Sequence, residues 1–103
     1  MSVPNVHRGE ASIEVGGEQL MLRPSFGALV AAEEELGSLF ELVEGAAEGS
    51  LKLGQIATLF DHLSRGRPEA ITRERIGEAV VEMGLARVTP ALKLVLTQIL
   101  QGR

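Results

Sequence analysis

The sequence predicts an α+β fold: an N-terminal β-hairpin followed by about five helices packed as a small, mostly helical domain. Three observations carry this reading. Apolar and polar residues alternate on either side of Gly16-Gly17, the period of a half-buried strand pair. From Ser25 onward the apolar spacing changes to about 3.6, the period of a helix. Caps and breakers then recur at Gly37, Gly49, Gly66-Arg67-Pro68 and Gly84, cutting the remainder into helix-length pieces. A chain of 103 residues accommodates one domain with a single core. Residues 1–9 read as a flexible arm, 10–23 as the hairpin and 25–101 as the helical part.

The hairpin can be drawn residue by residue. Ala11, Ile13 and Val15 are apolar, whereas Glu10, Ser12 and Glu14 are polar. Gly-Gly is a favoured two-residue loop because both central positions accept positive φ. That loop sets Val15 opposite Glu18, Ile13 opposite Leu20 and Ala11 opposite Leu22, with Ser12 facing Met21 and Glu10 facing Arg23. Opposed residues share a face, so one face is largely apolar and the other carries an opposite-charge pair. Pro24 ends the pairing because it has no N–H to donate.

Ser25 caps the first helix, whose apolar positions are Phe26, Leu29, Val30 and Leu36 and which stops at Gly37. Glu33, Glu34 and Glu35 form an acidic run on it; consecutive residues point to different sides of a helix, so the run reads as a solvated face, Glu33 nearest the packed side. Ser38-Leu39-Phe40-Glu41 has the form of a capping box opening a helix with Leu39, Leu42, Val43 and Ala46, which ends near Gly49. The third helix, about residues 53–64, places Ile56, Leu59, Phe60 and Leu63 on one stripe. Thr72 caps a fourth helix with Ile76, Ala79, Val80 and Met83 inward.

The last helix starts somewhere within residues 85–90 and runs to about residue 101. Thr89-Pro90 fits an N-cap followed by Pro at the first helical position; a start at Leu85 would place Pro90 inside the first turns. Leu92, Leu94, Val95, Leu96, Ile99 and Leu100 cover more of its circumference than one core-facing stripe requires. With Leu92, Val95, Leu96 and Ile99 inward, Leu94 and Leu100 are left outside. Two alternatives follow: a surface for a partner or a second copy, or a central helix buried all round. The six residues are the candidate partner-binding set.

Composition narrows the function classes. The formal net charge is −4, and the chain has no Trp, no Tyr and three Phe. Nucleic-acid binding needs a basic stripe and commonly aromatic stacking platforms, so no nucleic-acid partner is expected. Arg65, Arg67, Arg73 and Arg75 are interspersed with or close to Glu69, Glu74 and Glu78 and read as a mixed solvated surface. With no Cys, disulfides, thiolate zinc sites and Cys nucleophiles are out. No apolar stretch approaches the ~20 residues of a membrane span, and no signal peptide is read at the start; a cytoplasmic, membrane-free protein is the expectation.

No catalytic constellation emerges. His7 has no nearby Ser, Cys or second His and reads as a solvated or hydrogen-bonding residue. P-loop, nucleophile-elbow and zincin motifs are missing. Residues 59–84 have the cadence of an EF-hand, but aligning Ile71 with that loop's hydrophobic position puts Ser64, Gly66 and Pro68 at the first ligand positions. Arg75 would then replace the bidentate Glu. Calcium binding is not expected, nor any other metal or cofactor.

The order of "NVHRGE" before a strand, "GGEQLMLRPSFGALVAAEEELG" and "GSLKLGQIATLF" resembles the small gene transfer agent and phage tail proteins of alphaproteobacteria. The residues that carry the resemblance are Asn5, His7, Arg8, Gly9, Glu10, Leu22, Arg23, Ser25, Phe26, Ala28, Leu29, Leu36, Gly37, Gly49, Leu51 and Leu53. It covers roughly the first sixty residues well and the later helices in pattern; Gln55 and Ile56 depart from the acidic residue and Leu of the family pattern. The resemblance implies a non-enzymatic role in phage-like tail morphogenesis, in assembling particles of a bacterial cytoplasm. Both tail tube proteins and tail assembly chaperones are described in the family. A tube wall is rich in β-structure, whereas this chain offers one hairpin. A small acidic helical domain with apolar helix surface to spare suits a chaperone binding the tape-measure protein. That is the expectation, with a structural tail or tail tube component as the alternative, and tape-measure protein, tube protein or further copies of the chain as partners.

Overall fold

The computed structural model describes residues 11–102. The expectations for the 1–9 arm and for Asn5, His7, Arg8, Gly9 and Glu10, including the Glu10–Arg23 pair, lie outside the described residues. Two strands, β1 (Ala11–Val15) and β2 (Glu18–Leu22), are followed by five helices: α1 (Phe26–Leu36), α2 (Leu39–Glu48), α3 (Leu53–Leu63), α4 (Arg73–Met83) and α5 (Leu85–Gln101).

The antiparallel register is the one the turn dictates: Val15 opposite Glu18, Ile13 opposite Leu20, Ser12 opposite Met21 and Ala11 opposite Leu22. Gly16 and Gly17 have φ of 59° and 83°, the mirror-image turn that matches strand twist. Ala11, Ile13, Val15, Leu20 and Leu22 are all buried, and the ribbon lies with β1 on α4 and α5 and β2 on α3. A two-stranded ribbon is marginal alone; covering its apolar face with helices is what holds it. The Arg23 N–H donates to the Leu63 carbonyl at 2.8 Å, fixing the hairpin exit to the end of α3.

Helices α3 and α4 follow their stripes. Ile56, Leu59, Phe60 and Leu63 are buried, as are Ile76, Ala79 and Val80. Thr72 Oγ1 accepts from the Arg75 N–H at 3.3 Å as the cap of α4. Gln55 Oε1 accepts from the Lys52 N–H at 2.8 Å. This reach-back is open to Gln and Glu alike, so the departure from the family pattern at position 55 keeps its capping function.

Two local expectations are corrected, and one open alternative is decided. On α1 the buried residues are Ala28 and Ala32, while Phe26 is 84% exposed and Val30 also faces solvent. Up to Glu33 this helix is apolar all round, so periodicity could not choose a face. Its contact with α3 uses the small side chains, which let two helices approach closely. The Ser38–Glu41 box is not formed as drawn: Ser38 Oγ accepts from the Phe40 N–H at 3.1 Å. Glu33 Oε2 crosses from α1 to accept from the Leu39 N–H at 3.1 Å. Finally, α5 starts at Leu85, placing Pro90 inside the helix. Thr89 is therefore no cap; its hydroxyl donates to the Leu85 carbonyl at 2.7 Å.

Candidate interaction surfaces

Two constellations stand out: a charged clamp and an apolar seam. The clamp joins α1, α3, the α3–α4 loop and α4. Arg73 Nη2 donates to Glu35 Oε1 and to Asp61 Oδ2, each at 2.9 Å, and its Nη1 pairs with Glu35 Oε2. His62 Nε2 lies 2.7 Å from Glu35 Oε1. Arg67 pairs with the Asp61 carboxylate and donates from Nη1 to the Asp61 carbonyl at 2.9 Å and from Nε to the Ile71 carbonyl at 2.6 Å. Hydrogen bonds from Arg73 and then from His62 hold the Glu35 carboxyl down at about 2; Glu35 and Asp61 in turn push the Arg73 guanidinium further up.

The reading of the arginine cluster as a solvated surface is thus corrected for Arg67 and Arg73. Arg73 ties the helix–loop–helix to α1 through Glu35, 38 residues away and beyond the reach of any local pattern, while Arg67 closes the α3–α4 loop onto Asp61 and Ile71. Arg65 likewise donates to the Gly27 carbonyl at 3.2 Å. Every carboxylate oxygen of the clamp faces a cation, which makes it a structural tie. Among the described residues no group of His, Cys, Asp or Glu has the clustering needed to hold a metal ion.

The seam runs between α2 and α5. Only Leu42 of α2 is buried, so this helix lies on the body of the protein without being absorbed into it. Three shallow apolar depressions follow one another along the line where it meets α5. The first, about 230 Å³, is lined by Leu39, Phe40 and Val43 against Ile99 and Leu100, with Glu33 at its edge. The second, about 180 Å³, lies between Val43, Ala46 and Ala47 and the α5 residues Lys93, Leu96, Thr97 and Leu100. The third, about 190 Å³, continues past Ala46, Gly49 and Leu51 to Leu85, Val88, Thr89, Leu92 and Lys93. Joined end to end, they make a groove beside much of α5.

The six candidate partner-binding residues divide accordingly. Leu92, Val95 and Leu96 are buried in the core; Leu94 and Ile99 are partly buried and pack against it; Leu100 is 56% exposed. Leu94 is therefore less free than the helical wheel implied, and Leu100 is the residue that reaches solvent. Sequence reasoning missed Phe40, which is 73% exposed at the mouth of the groove. One available signal was the acidic character of the chain around it: residues 24–51 hold six Glu and no Lys or Arg. Phe26, a family-motif residue, and Val30 make a separate exposed apolar spot on α1, and Val81 with Leu85 another where α4 turns into α5. Arg23, the other motif residue within the described chain, stands exposed where β2 ends. No helix is long and apolar enough to cross a membrane among the described residues.

In comparison with known proteins, a family described as phage tail tube protein, GTA-gp10, matches residues 8–102. No curated protein and no solved structure matches the chain.

Proposed function

The chain belongs to the GTA-gp10 family of phage tail tube proteins, and from that premise we propose that it is a non-enzymatic structural component of a phage-like tail, assembled in the bacterial cytoplasm. The family description supports the structural role over a purely transient one. The observation that carries the contact surface is the groove between α2 and α5, with Phe40 and Leu100 exposed at one end. Large exposed apolar side chains beside an unfilled groove are the usual mark of a protein–protein contact. In this reading α5 has both roles that its sequence left open: Leu92, Val95 and Leu96 belong to the core, while Leu100, with Ile99 and Leu94 behind it, supports contact with other tail proteins.

A second reading has its own support. Among the described residues the fold holds a single two-stranded ribbon, little strand for a tube wall, and the groove has the form that receives an apolar helix. In that reading the protein is a tail assembly chaperone that shields the tape-measure protein. Mass spectrometry and electron microscopy of purified particles separate the two: a structural component stays in the finished tail in stoichiometric amount, whereas a chaperone is lost. Loss from particles, combined with a gain in tape-measure solubility on co-expression, would overturn the structural reading.

A further inference from the structure

The groove between α2 and α5 holds one unanswered charge. Lys93 is exposed and lines both the second and the third depressions. Its ammonium has no hydrogen-bond or ion-pair partner among the described residues. Glu44 and Glu48 of α2 line none of the three depressions, and Glu33, at the edge of the first, is already taken up by the Leu39 N–H. What fits such a groove is a helix with an apolar row and one carboxylate at a set distance along it. The chain carries that row on its own outer surface. Phe26, Val30 and Glu34 follow one another at i, i+4 and i+8 on α1, a single ridge of the helix. All three are exposed, and the Glu34 carboxylate also lacks a partner among the described residues.

The two rows match in length. Phe26 and Glu34 lie about 12 Å apart along α1, and Lys93 and Leu100 about 10.5 Å apart along α5, from the rise of a helix. We propose that α1 of one copy docks in the α2–α5 groove of the next, antiparallel to its α5. Phe26 then enters the first depression among Phe40, Ile99 and Leu100, Val30 covers the second beside Thr97, and Glu34 meets Lys93. Running α1 the other way would seat Phe26 in the smaller third depression and set the dipoles of the two helices parallel, with like ends together. Row and groove are different surfaces, so the contact is heterologous. Each copy added leaves one row and one groove free, and growth continues until a ring closes or a filament runs on. This goes beyond the tail-component reading, because it names both faces, their register and the charge pair.

Sedimentation equilibrium of the full chain tests it. The native chain shows a weight-average mass that climbs past the dimer as concentration rises. Phe26→Asp removes the row and Phe40→Asp spoils the groove; both positions are exposed, so both variants keep the helical circular dichroism. Each weakens assembly at least about tenfold. Mixed in equal amounts they form a heterodimer that stops at two, because one supplies the intact groove and the other the intact row. Glu34→Lys alone and Lys93→Glu alone each weaken assembly about fivefold, and the chain carrying both reversals regains it. The contact is overturned by a native chain that stays monomeric at about 0.2 mM, weaker than any useful contact, or by one that stops at the dimer. A mixture that stays monomeric, or a double reversal no tighter than the single ones, overturns it as well. A monomer that still enters particles would sink this contact and leave the tail-component reading intact; a chain that assembles in solution but is missing from particles would do the reverse.

Discussion

Only one of the three phenylalanines holds the fold together. Phe60 has 0% of its surface exposed and sits in the cluster that joins the hairpin to the helices, while Phe26 and Phe40 are 84% and 73% exposed. Phe60→Ala removes a ring from a filled interior and leaves a cavity, a change that costs about 3–5 kcal/mol. Against the ~5–15 kcal/mol of a small domain, that lowers the melting temperature by at least about 12 °C. Phe26→Ala and Phe40→Ala strip only solvated surface and stay within about 0.5 kcal/mol of the native chain. With no Trp or Tyr present, far-ultraviolet circular dichroism is the natural probe of thermal and urea unfolding. A single low protein concentration is needed, since association itself raises the midpoint. Similar losses in all three variants, or a Phe60→Ala chain as stable as its parent, would refute the assignment of inside and outside.

The clamp predicts a pH dependence with a definite sign. Glu35 is held at about 2 against an ordinary 4.5. The unfolded chain therefore binds the extra proton first, and the stabilisation is fully present above 4.5 and lost as pH falls toward 2. The melting-temperature difference between the native chain and Glu35→Gln should be flat at higher pH and shrink through that window; a difference unchanged across it would count against the clamp. Leu96→Asp, which buries a carboxylate where Leu96 is 4% exposed, should cost at least ~3 kcal/mol, whereas Leu100→Asp should be nearly neutral for folding; equal melting temperatures would show that α5 is turned the other way. Thr72→Ala removes the α4 cap and should cost about 1 kcal/mol in urea unfolding; no change would mean that water serves the Arg75 amide equally well.

Much of the site was legible in one half and hidden in the other. The crowded apolar pattern of α5 already pointed to a helix with more than one face to satisfy. The second wall was hidden, because Phe40 and Val43 sit on an ordinary-looking amphipathic helix, with only the acidic residues around them to hint that α2 would stay on the outside.

The sequence by itself determined the elements whose signals are local. A glycine pair and strict alternation set the hairpin register; a Thr and a four-residue apolar stripe set α4; Ile56, Leu59, Phe60 and Leu63 set the inward side of α3. Each of these depends on atoms within one turn or one strand pair. Tertiary structure decided what those ranges cannot reach. It buried Ala28 and Ala32 in place of Phe26, because the close approach of α1 to α3 rewards small side chains. It drew Glu33 away from solvent to cap α2, and it took Arg67 and Arg73 out of a surface cluster into a tie spanning three helices. It also chose Leu85 over Thr89-Pro90 as the start of α5. For α1, Glu33 and Arg73 the deciding partner is contributed by packing between elements, and local periodicity carries no record of it.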